Sequence, residues 1–291
     1  MARYGLDLQQ KNKNGRKTKI ILVSVFLCFA LILGSVSTLL LWRSLNYDFN
    51  NIFSREDVST TLPPKTTAEN TVVYDGESTF LVAVTSDDMK EIRFINLVDV
   101  DLGEKLIKVI PVDHSQKIKS QNKTYSKLLS ESGIKTLVTA VEEQQNCTVS
   151  RYVLLTDSGY KSLYRAMGDI TVKVREHIEY DTEDMFLELE KGENVLSPEK
   201  TYKYMKYLCE TKKPYECSLL NAEVIVSSFN AFMTPDKFLS ADSCFSQVIN
   251  YCDTDISIVD YTENKDKIEY LIPQTSKEKL KVYAVKELEN E

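Results

Sequence analysis

Ile92 to Val100 constrains the fold more than any other run of the chain. Its two alternating sets, Ile92, Phe94, Val98 and Val100 on one side and Ile95 and Leu97 on the other, are both apolar. A half-exposed strand alternates apolar with polar residues. A run apolar on both sides reads as a strand of a sheet covered on both faces, and therefore as helices on two sides. Phe80 to Val84 before it and Lys105 to Pro111 after it are similar short runs rich in Val, Ile, Leu and Phe. The three read as consecutive strands. Asp101-Leu102-Gly103-Glu104 is the turn between the last two, with Gly103 available for a positive φ.

Further on, Ile134, Leu137, Val138 and Val141 fall at helical spacing and predict a helix over Ser132 to Gln145. Val149 to Leu155 reads as a strand. Asp157 is the expected N-cap of a helix carrying Tyr160, Leu163, Tyr164 and Met167 and stopped by Gly168. Strands are expected at Ile170 to Val174 and Met185 to Leu189, and Ser197-Pro198 opens a helix with proline at its first position. Helices over about 219–232 and 241–251 and a last strand near 280–285 complete the pattern. Strands alternating with helices after an initial hairpin give an α/β domain with a mixed central sheet flanked by helices.

Before this domain, Ile20 to Trp42 contains no charge, and about 20 apolar residues suffice to cross a bilayer. Six basic residues (Arg3, Lys11, Lys13, Arg16, Lys17 and Lys19) precede the run and Arg43 follows it. The positive-inside rule then places the N-terminus in the cytoplasm and the rest outside. The competing reading, a cleaved signal peptide, calls for a shorter apolar core and an A-x-A-like site, which does not follow here. The expected organisation is a basic cytoplasmic tail over 1–19, one transmembrane helix over 20–42, an extended stalk over 43–78 containing DVSTTLPPKTTAENT, and an extracytoplasmic domain over 79–291. The formal net charge is −7 even with that basic tail included, so the domain itself is more acidic still. Such a surface repels phosphates and excludes nucleic acid as a partner.

Five cysteines follow the apolar run. Cys209 with Cys217 and Cys244 with Cys252 are the local pairings open to them, and unbonded burial is the alternative. Structural zinc is disfavoured, since no CxxC or clustered histidine accompanies them.

The order of elements, the segment Ile110-Pro111-Val112-Asp113, the stretch SGIKTLVTAVEEQQNCTVSRYVLLTDSGYKSLYRAMGDITVKV and the stretch LELEKGENVLSPEKTYKYMKYL resemble the LytR-CpsA-Psr family of bacterial cell-envelope proteins. The resemblance runs from about Phe80 to Tyr251. It implies transfer of glycopolymers from a polyprenyl-pyrophosphate carrier to peptidoglycan. Arginines would clamp the pyrophosphate, acids would hold Mg²⁺ and assist the attacking hydroxyl, and an apolar tunnel would take the lipid.

Most of those arginines are replaced here. Val112 stands in the place of the arginine of the family's Pro-Arg-Asp segment, Lys206 and Leu208 stand for a pair of arginines, and Leu219 and Ala222 for two more. The candidates that survive are Arg93, Lys206 and Asp113 as catalytic groups, and Asp87 with Asp88 as metal ligands, Mg²⁺ being the implied ion if the chain is active. Each has a plain alternative: a solvated turn or cap for Asp87 and Asp88, a turn for Asp113 with His114, and a solvent-facing helix position for Lys206. Arg165 and Arg175 are the further cations that a phosphate clamp would draw on. Losing several arginines in an acidic domain favours a degenerate, non-catalytic member that binds a polyprenyl-linked glycopolymer, wall polymer or another envelope protein. The alternative is a divergent active transferase.

Overall fold

A computed structural model describes residues 73–118, 120–274 and 278–286. The expected tail, the apolar run 20–42 and nearly all of the stalk lie outside these residues. Among the described residues no helix is long and apolar enough to cross a membrane.

The elements run β1 (Glu77–Thr85), β2 (Ile92–Asp101), β3 (Leu106–Val112), β4 (Lys117–Ile118), β5 (Lys123–Thr124), α1 (Tyr125–Ser132), α2 (Ile134–Gln145), β6 (Arg151–Thr156) and α3 (Asp157–Met167). There follow β7 (Ile170–Val174), β8 (Ile178–Asp181), β9 (Phe186–Leu189), β10 (Gly192–Leu196), α4 (Pro198–Thr211), α5 (Pro214–Phe232), α6 (Pro235–Phe238), α7 (Ala241–Val248), β11 (Asp253–Thr254), α8 (Ile258–Leu271) and β12 (Lys281–Ala284). The main sheet has the order β11-β6-β1-β2-β3-β12. It is mixed: β1 is antiparallel to β2 and parallel to β6, and β3 is antiparallel to β2 and parallel to β12.

The two apolar sides of β2 are buried on opposite faces, except that Ile92, expected with Phe94, packs with Ile95 and Leu97, at the end where the β1–β2 register shifts between Val84 and Thr85. Ile95 and Leu97 join Leu81, Ala83 and Val112 against Leu128 of α1 and Leu137 and Val141 of α2. Phe94 and Val84 face Tyr160 and Tyr164 of α3, Met205 and Leu208 of α4 and Leu220 of α5. Further along that second face, Val98, Ile107 and Val109 meet Ala222 of α5.

Several sequence expectations shift by a residue or more. The helix expected over Ser132 to Gln145 is α2 and begins at Ile134, because Gly133 at φ 78 separates it from α1, an additional helix that ends at Ser132. The positive φ of the β2–β3 turn falls on Lys105, at 49°, and not on Gly103. A Cβ at Gly103 would lie 3.1 Å from the Asp75 carboxylate, a tight contact that a shift of that side chain by a few tenths of an ångström would relieve. Thr156, not Asp157, caps α3: its hydroxyl accepts from the Gly159 N–H at 3.1 Å, leaving Asp157 inside the first turn with its carboxylate free for another partner. Gly159 itself is held close to the turn after α7, where a Cβ would collide with the Tyr251 carbonyl.

Candidate functional site

β1, β3 and β6 all end at the same edge of the sheet, where β2 begins. Ligands of open α/β sheets gather at the carboxyl ends of strands, because the loops there are free to carry polar groups while the strands below are packed. Asp87 and Asp88 follow β1, Arg93 opens β2, Asp113 follows β3 and Asp157 follows β6, so the topology brings to one edge most of the residues singled out in the sequence.

The centre of this edge is an ion pair. Arg93 donates Nη2 to Asp157 Oδ2 at 2.9 Å and Nε to both carboxylate oxygens at 3.3 Å. Its Nη1 donates to Glu91 Oε2 at 3.2 Å. The side chains of Arg93 and Asp157 are 24% and 10% exposed, so the pair is mostly withdrawn from water. The Asp157 carboxylate raises the Arg93 pKa above its ordinary value against the opposing effect of burial. An acid in the first turn of α3 also lies favourably along the helix dipole.

Beside the pair, Asp87 Oδ1 accepts the backbone N–H of Ser158 at 2.8 Å. That N–H, followed by the Ser158 hydroxyl and assisted by Arg93, holds the Asp87 pKa below the usual carboxylate range. The open N–H groups at the start of α3 are thus met from within the chain, by Asp87 and by Thr156. Tyr202 of α4 is near enough for Asp157 and Asp87 to raise its phenol pKa, although burial is the larger cause. Lys161 Nζ lies 5.2 Å from the Tyr202 ring centre and 2.7 Å from Glu199.

The other candidates point elsewhere. Asp88 accepts from the Ser86 hydroxyl at 2.7 Å and pairs with Lys90 at 3.0 Å, and these contacts lower its pKa to about 2, the hydroxyl contributing most. It closes the turn in which Met89 takes a φ of 57°. Asp113 accepts the N–H and hydroxyl of Ser115 at 3.0 and 2.7 Å, an Asx turn at the end of β3. Lys206 pairs along its own helix with Glu210 at 3.7 Å, and Glu210 also accepts from Tyr180 of β8, so Lys206 stands with that small sheet.

These contacts bear directly on Mg²⁺, which binds through one or two carboxylates and demands a regular octahedron. Both Asp157 oxygens face the Arg93 guanidinium, Asp88 is turned to Lys90, and Asp87 has one oxygen on a helix N–H. Among the described residues no group of three or more His, Cys, Asp or Glu side chains is placed to hold a metal. The donor set as arranged does not fit a divalent cation.

Next to Asp113, His114 Nδ1 lies 3.4 Å from the Ser218 hydroxyl at the start of α5. Burial lowers the His114 pKa, and the Asp113 charge opposes that only in part. The unfolded chain therefore takes up this proton first as pH falls. The stability tied to neutral His114 is complete above about pH 6.5 and is lost as pH drops through the lower folded value. Urea unfolding of the domain from pH 7.5 to 5 should show a falling midpoint, and His114→Gln should flatten that slope.

A mixed sheet between helical layers, with its polar residues gathered at one strand edge, is a layered α/β domain. Within that class the chain belongs to the LytR_cpsA_psr family, whose model matches residues 95–287. Solved structures agree in fold. A protein from Eubacterium siraeum DSM 15702 described as a transcription regulator is 20% identical over 79% of this chain and 90% of its own, with a TM-score of 0.64. TagV of B. subtilis is 15% identical over 73% of this chain and 85% of its own, at 0.59. TagT, solved bound to LI-WTA, is 14% identical over 72% of this chain and 78% of its own, at 0.52. No curated protein sequence matches the chain.

Proposed function

We propose that this chain is a membrane-anchored cell-envelope protein of the LytR-CpsA-Psr family that has kept the fold and lost the transfer chemistry, acting in cell-wall glycopolymer assembly by binding. The carrying observation is the state of the cations. Arg93 is engaged by Asp157 and Glu91, Arg175 pairs with Glu223 at 2.6 Å, Arg165 lies 3.9 Å from Glu199, and Lys206 faces Glu210. The Arg175, Arg165 and Lys206 pairs are open to water and therefore weak, so a pyrophosphate could compete for them singly, whereas the Arg93–Asp157 pair is mostly withdrawn from water. Each is held by its own acid, however, Arg93 by Asp157, Arg175 by Glu223, Arg165 by Glu199 and Lys206 by Glu210, and a clamp depends on several forks turned free to one ligand.

The positions that the resemblance matches to further arginines support the same reading. Val112, Leu208 and Ala222 are buried in the packed core, where a longer charged side chain would need rearrangement to reach a ligand, while Leu219 is half-buried. The anchor at 20–42, with residues 1–19 in the cytoplasm and the domain outside, is part of this proposal and rests on the uncharged run and the basic flank before it.

The test uses the full chain extracted from its native membrane in detergent. Co-purifying lipid is identified by mass spectrometry, and transfer from a polyprenyl-pyrophosphate sugar to peptidoglycan fragments is assayed with and without Mg²⁺. The expected result is no Mg²⁺-dependent transfer by the chain or by Val112→Arg. Turnover by the unmodified chain overturns the proposal in favour of a divergent transferase. Protease on intact spheroplasts should remove the domain and spare the N-terminal tail, and protection of the domain refutes the topology.

A further inference from the structure

Cys209 in the last turn of α4 and Cys217 in the first turn of α5 flank the corner Lys212-Lys213-Pro214. Their sulfurs lie 3.0 Å apart, closer than two unbonded sulfurs ordinarily rest. Both thiols also reach the same acceptor, the backbone carbonyl of Arg93, at 3.5 Å each. A disulfide places its sulfurs at about 2.05 Å, so from the observed 3.0 Å a small side-chain rotation at each helix end closes the gap. The other pairing open in the sequence has no such support: Cys252 turns its thiol to the Val248 and Ile249 carbonyls at 3.7 Å.

We propose that Cys209 and Cys217 are oxidised to a disulfide that locks the α4–α5 corner against the β2 backbone at Arg93. The oxidant is a disulfide, either a small molecule or a thiol–disulfide oxidoreductase, of the class that operates outside the cytoplasm. One cysteine thiolate attacks a sulfur of the oxidant and releases the first thiol. The second cysteine then attacks the mixed disulfide and releases the other. Two protein S–H bonds and the oxidant's S–S bond are consumed, and one protein S–S bond and two oxidant S–H bonds are formed. The protein gives up two electrons, and its two protons pass to the released thiols.

Burial makes the order of events specific. Cys217 is buried in the same cluster as Leu208 and Leu220, with Cys209 packed against it, and the hydrogen bond to Cys217, followed by burial, pushes the Cys209 thiol up from its ordinary pKa. Such a thiol is a poor nucleophile once the corner is packed. The bond therefore forms while α4 and α5 are still docking, and the finished core then shields it from reductants. The crosslink bears on the candidate site through the backbone, since the carbonyl that both sulfurs touch belongs to the arginine whose side chain holds Asp157.

The test is peptide mapping of the full-length protein, purified in detergent without reductant and blocked with iodoacetamide after denaturation. Trypsin cuts after Lys212 and separates the two cysteines, so the bond appears as a linked peptide pair that dithiothreitol splits. Refolding in oxidised dithiothreitol should give the same pair, and this arm does not depend on where the domain resides in the cell. The denaturation midpoint should fall when the unmodified protein is reduced, and this reductant effect should vanish in Cys209→Ser. Full alkylation of both cysteines in the purified and refolded protein, or linkage of either to Cys147, Cys244 or Cys252, overturns the proposal. Because the mapping is done on the unmodified chain, it stands even if the variant folds poorly.

Discussion

Arg93→Ala is expected to lower the stability of the domain by about 3 kcal/mol, because it removes the partner of a carboxylate that has little access to water. Asp157 has a side chain 10% exposed, and its oxygens take three hydrogen bonds from Arg93. Without the guanidinium, that charge is left at the start of α3 with only the helix dipole to meet it. Asp157→Asn should cost less, about 1–2 kcal/mol, since the amide keeps the shape and Arg93 retains Glu91 and more solvent. Replacing both residues by leucine and methionine of similar volume should recover much of the loss, because an apolar pair carries no desolvation penalty. The combined variant Arg93→Ala/Asp157→Asn completes a double-mutant cycle with the parent and the two single variants, and urea unfolding of those four proteins gives the coupling energy of the pair. A change within about 0.5 kcal/mol for Arg93→Ala, the range usual for surface substitutions, would mean the pair is solvated and structurally idle. Asp157→Asn also tests the proposed function. If the pair is what withholds Arg93 from anions, inorganic pyrophosphate should bind the variant more tightly than the parent, and equal weak binding by both would separate the structural role of the pair from any role in blocking a ligand.

The sheet was legible where a strand is packed hard. The runs at Phe80, Ile92 and Lys105 carry enough Val, Ile, Leu and Phe for their strand period to show, and the observed strands begin and end within a few residues of the expected limits. Elements with little to bury were not visible. β8 and β10 present buried residues only at Ile178 and Leu196, and α8 buries only Leu271 among its described side chains, so none of them has the repeated apolar spacing that periodicity detects. α1 was missed for another reason. Its buried Tyr125, Leu128 and Leu129 fill barely two turns before Gly133, too short a run to register as a separate helix.

The candidate site was legible by residue and not by contact. Arg93 and Asp157 are 64 residues apart, and their meeting follows from the pairing of β1 with both β2 and β6, a register that no local pattern reports. The sequence marks Asp157 as a helix cap because an acid at a helix start commonly is one. The cap shifted to Thr156, and that one-residue displacement is what frees the carboxylate for the arginine. Lys206 shows the converse. Its sequence leaves Lys206 either a cation for a ligand or an outward-facing helix position, and the helix turns it toward Glu210, which also accepts from Tyr180, because the buried side of α4 is taken by Tyr204, Met205 and Leu208.

Tyr160→Ala is the substitution that bears most directly on whether the fold keeps room for a lipid. Tyr160 is buried between the sheet and α4 and α5, with its ring centre 4.8 Å from Tyr164 and 6.2 Å from Phe94. Tyr164 extends the contact to α5 through a 2.8 Å hydrogen bond between its hydroxyl and Ser228. Tyr204 and Leu208 fill the adjoining space, and Tyr202 and Phe232 pack around them. These bulky residues of the helices thus belong to one buried cluster, with Tyr160 against Tyr164 and Phe94 at its centre. Removing the ring should cost about 3–5 kcal/mol, from lost burial and from the cavity left when neighbours relax incompletely. Tyr160→Phe should cost about 1 kcal/mol or less, which separates the hydroxyl from the ring. A dry apolar cavity of that kind binds small apolar molecules, and a ligand bound only to the folded state raises the unfolding midpoint. Farnesol should accordingly raise the midpoint of Tyr160→Ala and leave the parent unchanged, the variant regaining with a prenyl chain the contacts that the tyrosine supplied. If farnesol stabilises the parent as strongly as the variant, the aromatic layer is not a plug, an open prenyl site exists in the native fold, and the domain's binding role extends to the lipid part of a polyprenyl-linked polymer.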